Sequence, residues 1–182
     1  MTRTSREVPL EHPFLGWRDF RVIWKNLIAI HTRRSNSLDF LHIPPAMSQG
    51  LPEQWSIPRL QFEVSYYTAY PPENILVVAE EQTERWVDAN PRLPSWRLIM
   101  CRDIRIHLLN LLDGSPHRVP RSNVLTLPLP PGVGETYIQV LAMTGSRLML
   151  HISLQDESWP HKALGRRLVL WNWRTGDTVR ML

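Results

Sequence analysis

"LVLWNWRTGDTV" (Leu168 to Val179) reads as an apolar strand, a tight glycine turn and a return strand. It is decisive because the chain holds a second copy of the same pattern. Setting "IHLLNLLDGSPHRV" (Ile106 to Val119) over "LVLWNWRTGDTVRM" (Leu168 to Met181) places Asn110 on Asn172, Gly114 on Gly176 and Arg118 on Arg180, all displaced by 62 residues. Ile106, Leu108, Leu109 and Leu111 fall on Leu168, Leu170, Trp171 and Trp173. Repetition at such a spacing is the mark of repeated supersecondary units. The turn has a mechanism: a type I turn followed by a residue at positive φ closes a short hairpin, and glycine takes that residue without steric cost.

The strand before each turn is apolar on both faces, Leu168 and Leu170 on one and Val169, Trp171 and Trp173 on the other. A strand covered on both sides lies between two layers. Further strands are expected at Leu60 to Tyr66, by period-two alternation, and at Asn74 to Glu81, Ile104 to Leu111, Glu135 to Met143 and Arg147 to Leu154, by apolar runs rich in branched residues. Gln82 to Met100 reads as a long loop inserted between strands, because its prolines break any period. Trp17, Phe20, Trp24, Leu27 and His31 fall three and four apart, so the spacing predicts a short N-terminal helix over Trp17 to Lys25.

The expected fold class is therefore mainly β: a partial β-propeller-like stack of antiparallel sheets, about two blades, with a short N-terminal helix. Residues 1–37 form an N-terminal arm with an amphipathic segment, and residues 38–182 form the propeller-like region, with one blade over 60–127 and a truncated blade over 135–182.

Composition bounds the function. Apolar residues make up 43% of the chain, and sixteen prolines stand against eight glycines, which favours many short segments joined by stiff turns. Net charge is +4, with Lys25 and Lys162 the only lysines, so the cationic charge is almost all arginine. Arginine suits phosphates and bases, which makes a nucleic-acid-binding β domain the alternative reading; the basic residues never run beyond pairs such as Arg33-Arg34, so nucleic acid is not the expected partner. The single cysteine, Cys101, fits a reducing compartment, and the expected location is cytoplasmic or nuclear. No apolar stretch reaches the length of a membrane span.

The residues that invite chemistry are scattered. His107, His117, His151 and His161 do not recur at metal-ligand spacing, "PPGVGETY" lacks the lysine and hydroxyl of a phosphate loop, and no Gly-x-Ser-x-Gly elbow occurs. No catalytic residue, metal or cofactor is expected. Trp86 and Trp96, in the long inserted stretch, are the candidate interface aromatics, because exposed aromatics on loops anchor partners. Trp171 and Trp173, with Asn110, Gly114, Asn172 and Gly176, are structural members of the repeat.

"YPPENILVVAEE" (Tyr70 to Glu81), "IRIHLLNLLDGSPHRV" (Ile104 to Val119), "YIQVLAMTGSRLMLHI" (Tyr137 to Ile152) and "LVLWNWRTGDTV" follow one another in an order and spacing that resembles the C-terminal portion of F-box proteins of mushroom-forming fungi. The resemblance runs from about Leu38 onward, and its most specific piece is the tryptophan-asparagine-tryptophan hairpin. It implies a non-catalytic protein-interaction module, the substrate-recognition part of a ubiquitin-ligase receptor. The F-box pattern, a leucine-proline start with paired helices, is not found; only "GWRDF" (Gly16 to Phe20) resembles the helix that follows it. A cullin-ligase adaptor is thus expected as a partner only if an F-box is supplied elsewhere. The last hairpin breaks off within its return strand, so the chain is expected to be a fragment of a longer relative.

Overall fold

The computed structural model describes residues 18–45, 51–86, 98–156 and 163–181. It is mainly β. Strands β1 (Arg18–Trp24), β2 (Leu27–Thr32), β3 (Ser37–His42) and β4 (Glu53–Ile57) form a first antiparallel sheet, with spatial order following chain order. Strands β5 (Tyr66–Tyr70), β6 (Ile75–Trp86), β7 (Leu98–Asn110) and β8 (Val124–Pro128) form the second, with a 3-10 turn at Pro71–Glu73. The third holds β9 (Val133–Thr144), β10 (Arg147–Asp156), β11 (Ala163–Asn172) and β12 (Thr178–Met181).

Four expectations are corrected. The helix over Trp17 to Lys25 is a strand: β1 pairs antiparallel with β2 from Arg18 opposite Thr32 to Trp24 opposite Leu27. Phe20 and Trp24, four apart, satisfy a period of two as readily as a helical one. The neighbouring Val22 and Ile23 are β-branched, and Lys25 at φ 35 closes a tight corner into β2. Arg21 and Ile23 both face the second sheet, Arg21 over the Tyr66 ring and Ile23 against the core. Second, the described residues form three sheets and not about two. Third, the alternating stretch from Leu60 to Ser65 is irregular, because the Asn36 side-chain amide donates to the carbonyls of Leu60 (2.9 Å) and Phe62 (2.5 Å) and takes acceptors a strand would need. The expected loop Gln82 to Met100 is also shorter than its prolines suggest, since β6 runs on to Trp86 and β7 begins at Leu98, directly opposite.

Two apolar cores hold the sheets together. Leu27, Ala29, Leu38, Phe40 and Ile57 pack on Tyr67, Ala69, Leu76, Val78, Leu109 and Leu111 between the first and second sheets. Ile75, Val77, Ile106, Leu108 and Leu125 pack on Leu148, Leu150, Ile152, Val169, Trp171 and Trp173 between the second and third. Trp173 is fully buried and its indole N–H donates to the Gly145 carbonyl (2.7 Å), so the ring enters the core without an unmet donor.

The repeat is reproduced bond for bond. Gly114 and Gly176 lie at φ 72 and φ 80. Gly114 N–H donates to Asn110 O (2.9 Å) and Gly176 N–H to Asn172 O (2.8 Å). The Asn110 and Asn172 side-chain oxygens each accept the amide two residues on, from Leu112 (2.9 Å) and Arg174 (3.2 Å). A further bond extends the pattern to the first sheet. The amide just past the third strand of each sheet donates to a carbonyl in the corner before its second strand: Ile43 to Asn26 (3.0 Å), Leu111 to Asn74 (3.0 Å) and Trp173 to Ser146 (3.1 Å).

Each glycine turn also seats on the preceding sheet. A Cβ at Gly114 would lie 2.7 Å from Ile57 Cγ2, whereas one at Gly176 would lie 3.7 Å from Leu125 Cδ2. Both positions exact the positive-φ penalty from an L residue, about 1–2 kcal/mol. Only Gly114 adds a clash against a buried side chain, worth about 1–3 kcal/mol more. Gly114→Ala is therefore expected to lower stability clearly more than Gly176→Ala in parallel denaturant titrations, and equal losses would show that the Ile57 contact yields freely.

Candidate functional site

The apolar run of β6 ends at Ala79 and continues as Glu80, Glu81 and Gln82, so polar groups begin where the core between the sheets ends. The first strands of the sheets are neighbours there, β1 against β5 and β5 against β9. Between them lies a cleft of about 360 Å³. Arg21, His31, Arg33 and Asn36 from the first sheet line one side, and Glu63, Ser65, Tyr66 and Glu81 face them, with Thr136 and Tyr137 from β9. An adjoining hollow, also about 360 Å³, shares Glu63, Ser65, Glu81, Thr136 and Tyr137 and reaches Thr83, Cys101 and Glu135.

Glu81 is the electrostatic centre. Its amide donates to Ser65 Oγ (3.2 Å), and Ser65 N–H in turn donates to the Ala79 carbonyl (2.9 Å), which pins the connecting segment against β6. Burial pushes the Glu81 carboxyl above its ordinary range; a hydrogen bond from Thr136 offsets part of this, and the charges of Glu63 and Glu135 add to it. Cys101 is buried behind Thr136, with Thr136 Oγ1 3.8 Å from its sulfur. Burial, with Glu81 and Asp103 nearby, pushes the thiol up to about 11 against the opposing Thr136 bond. It stays a thiol at neutral pH, which removes it as a nucleophile.

The opposite wall is cationic. The Arg21 guanidinium sits 3.8 Å from the centroid of Tyr66 and 5.3 Å from that of Tyr67. His31 is buried edge-on to Tyr67 and lies 3.3 Å from Asn36 Oδ1. Two of the hydroxyls lining the cleft bond to carboxylates, Thr136 to Glu81 and Tyr137 to Glu135 (2.8 Å).

The residues singled out from sequence lie elsewhere. Trp86 stands at the far end of β6 opposite Leu98, and Trp96 lies outside the described residues. Trp171 and Trp173 are core members. His107 is held by Glu80 (2.9 Å) and stacked on Phe62; His117 is buried, its Nε2 3.1 Å from the Glu73 carbonyl; His151 lies on the outward side of β10; His161 lies outside the described residues. Among the described residues, no three of His, Cys, Asp and Glu gather as metal ligands. Among them, too, no helix is long and apolar enough to cross a membrane.

No family model, curated protein or solved structure matches the chain. The only sequence signal for the cleft is the junction in "VVAEEQTE", where an apolar run meets consecutive carboxylates.

A carboxyl whose pKa is raised on folding stabilises the fold below its unfolded value and loses that contribution as pH rises through its folded one. Glu81→Gln keeps the acceptor for Thr136 and removes the charge. Its melting temperature is expected to exceed wild type at neutral pH, with the gap closing as pH falls below the ordinary value of 4.5. A constant gap would assign the effect to packing. Cys101 is expected to resist thiol reagents at pH 8 in the native protein and to react fully once denatured; fast native labelling would contradict its burial.

Proposed function

We propose that this protein is a non-catalytic protein-interaction module of β-propeller type, whose inner-strand cleft receives a cationic segment of a protein partner. The observation that carries the reading is the cleft itself: three carboxylates, Glu63, Glu81 and Glu135, converge between neighbouring sheets, and one of them is held above its ordinary pKa by desolvation and by the other two. A lysine or arginine side chain entering there supplies a counter-charge that opposes the upward shift of Glu81. The Tyr66 ring, with the Arg21 guanidinium over it, forms the facing wall.

The propeller reading is supported by three four-stranded meanders, the second and third each seated on the sheet before through the same kind of glycine turn. Joined to the resemblance to fungal F-box proteins, it suggests the substrate-recognition part of a ubiquitin-ligase receptor acting in cytoplasm or nucleus. The cullin-ligase adaptor would then be reached only through an F-box supplied outside these residues.

The test is a titration of the chain with short lysine- and arginine-rich peptides, their acidic counterparts and a generic oligonucleotide. Basic peptides are expected to bind, more tightly as pH rises through the Glu81 range. Replacing both Glu63 and Glu81 by glutamine should weaken them at least about tenfold, the loss of one charge-assisted contact. Preference for the oligonucleotide, with steep salt dependence, would replace this reading by nucleic-acid binding.

A further inference from the structure

One loop carries a hydroxyl that neither the cores nor the cleft use. Between β7 and β8 the chain runs from Leu111 to Asn123, and most of it faces solvent. Leu112, Asp113, Ser115, Pro116, Arg118 and Val119 are exposed, while His117 and Pro120 turn inward. Within this loop stands "SPHR" (Ser115 to Arg118), the one place in the 182 residues where a serine or threonine is followed by proline. The Ser115 hydroxyl donates to Asp113 Oδ1 (2.6 Å), and its amide donates to the same oxygen (2.9 Å). These bonds, with the charge of Arg118 nearby, hold the Asp113 carboxyl below its ordinary value.

The repeat shows what the turn tolerates at this place. Ser115 and Asp177 are equivalent: Asn110 N–H donates to the Ser115 carbonyl (2.7 Å) as Asn172 N–H donates to that of Asp177 (2.9 Å). Asp113 and Thr175 are equivalent too, and each accepts the amide two residues on, from Ser115 (2.9 Å) and from Asp177 (3.4 Å). The two turns carry the same pair of groups in opposite order, carboxylate then hydroxyl in one and hydroxyl then carboxylate in the other. An anion is accepted at the later position where a hydroxyl precedes it. At Ser115 a carboxylate precedes it, so an anion added there meets a like charge.

We propose that Ser115 is a phosphorylation site for a proline-directed protein kinase, and that the phosphoryl group unseats the Gly114 turn. Such kinases take a serine whose following residue has no amide hydrogen, and a cation three residues on adds to the fit. Pro116 and Arg118 supply both. In the reaction the Ser115 oxygen attacks the γ-phosphorus of ATP. A new O–P bond forms, the bond from that phosphorus to the bridging oxygen breaks, ADP leaves, and the hydroxyl proton passes to the kinase's base. The product carries a charge of about −1.5 to −2 near neutral pH. The Ser115 oxygen then has no proton to donate to Asp113, and the new charge repels that carboxylate and competes for Arg118. Gly114, between the two, is the residue pressed on Ile57, so the disturbance falls on the contact between the first and second sheets.

The test incubates the full chain with ATP and a purified proline-directed kinase and locates the modified residue by mass spectrometry. One phosphoryl group is expected, on Ser115, at a rate comparable to that of a synthetic peptide with the same loop sequence. Ser115→Ala should abolish it, and Pro116→Ala, which keeps the hydroxyl, should lose most of it. The phosphorylated chain should melt below the unmodified one. Asp113→Asn should shrink that difference, because the repulsion is gone while the side chain still accepts the Ser115 amide. Phosphorylation of the peptide and none of the folded chain would overturn the site. A melting temperature unchanged by the phosphoryl group, or lowered equally in Asp113→Asn, would overturn the unseating of the turn.

Discussion

Along β6, Ile75, Leu76, Val77, Val78 and Ala79 have no solvent face at all: alternate side chains enter opposite cores, and every one is fully buried. A strand in this position has no polar option on either side and must be covered by a sheet above and a sheet below. That single demand accounts for the layered arrangement. It also explains why the joining turns are so constrained. Each must reverse the chain while lying flat against the neighbouring sheet, and Gly114, pressed on Ile57, leaves no room for a side chain.

The same demand sets the position of the polar cleft. Where β6 leaves the doubly covered region, its next residues are Glu80 and Glu81, and the neighbouring layers still limit their access to water. Glu80 resolves this locally by holding His107, which is itself stacked on Phe62. Glu81 has Thr136 as a hydrogen-bond partner and Glu63 and Glu135 as like-charged neighbours, so its charge is left under-compensated. The proposed cation-receiving role rests on this imbalance.

The hairpins were legible because their conformation demands particular residues. A left-handed backbone at Gly114 and Gly176 and an asparagine oxygen bonding two residues on leave a mark in the sequence. The first sheet left no such mark. Its matching bond, from the Ile43 amide to the Asn26 carbonyl, is made by backbone alone, and His42 stands where the other sheets have asparagine. Its opening strand was read as a helix because aromatics four apart satisfy both periods. The cleft was illegible for a different reason: Glu63, Glu81 and Glu135 meet only through the packing of separate sheets, and no local pattern links them.

Edges and faces are treated differently in this molecule. The last strands of the first two sheets are short. In β4, Glu53, Gln54 and Ser56 are exposed, and β8 ends at an exposed proline, Pro128. Short, polar or proline-ended strands discourage pairing with another chain along the hydrogen-bonding direction. The opposite edge is enclosed, because β5 lies between β1 and β9. The outer face of the third sheet, with Met149, His151, Leu168 and Leu170, stays half-exposed in the register that the second sheet buries.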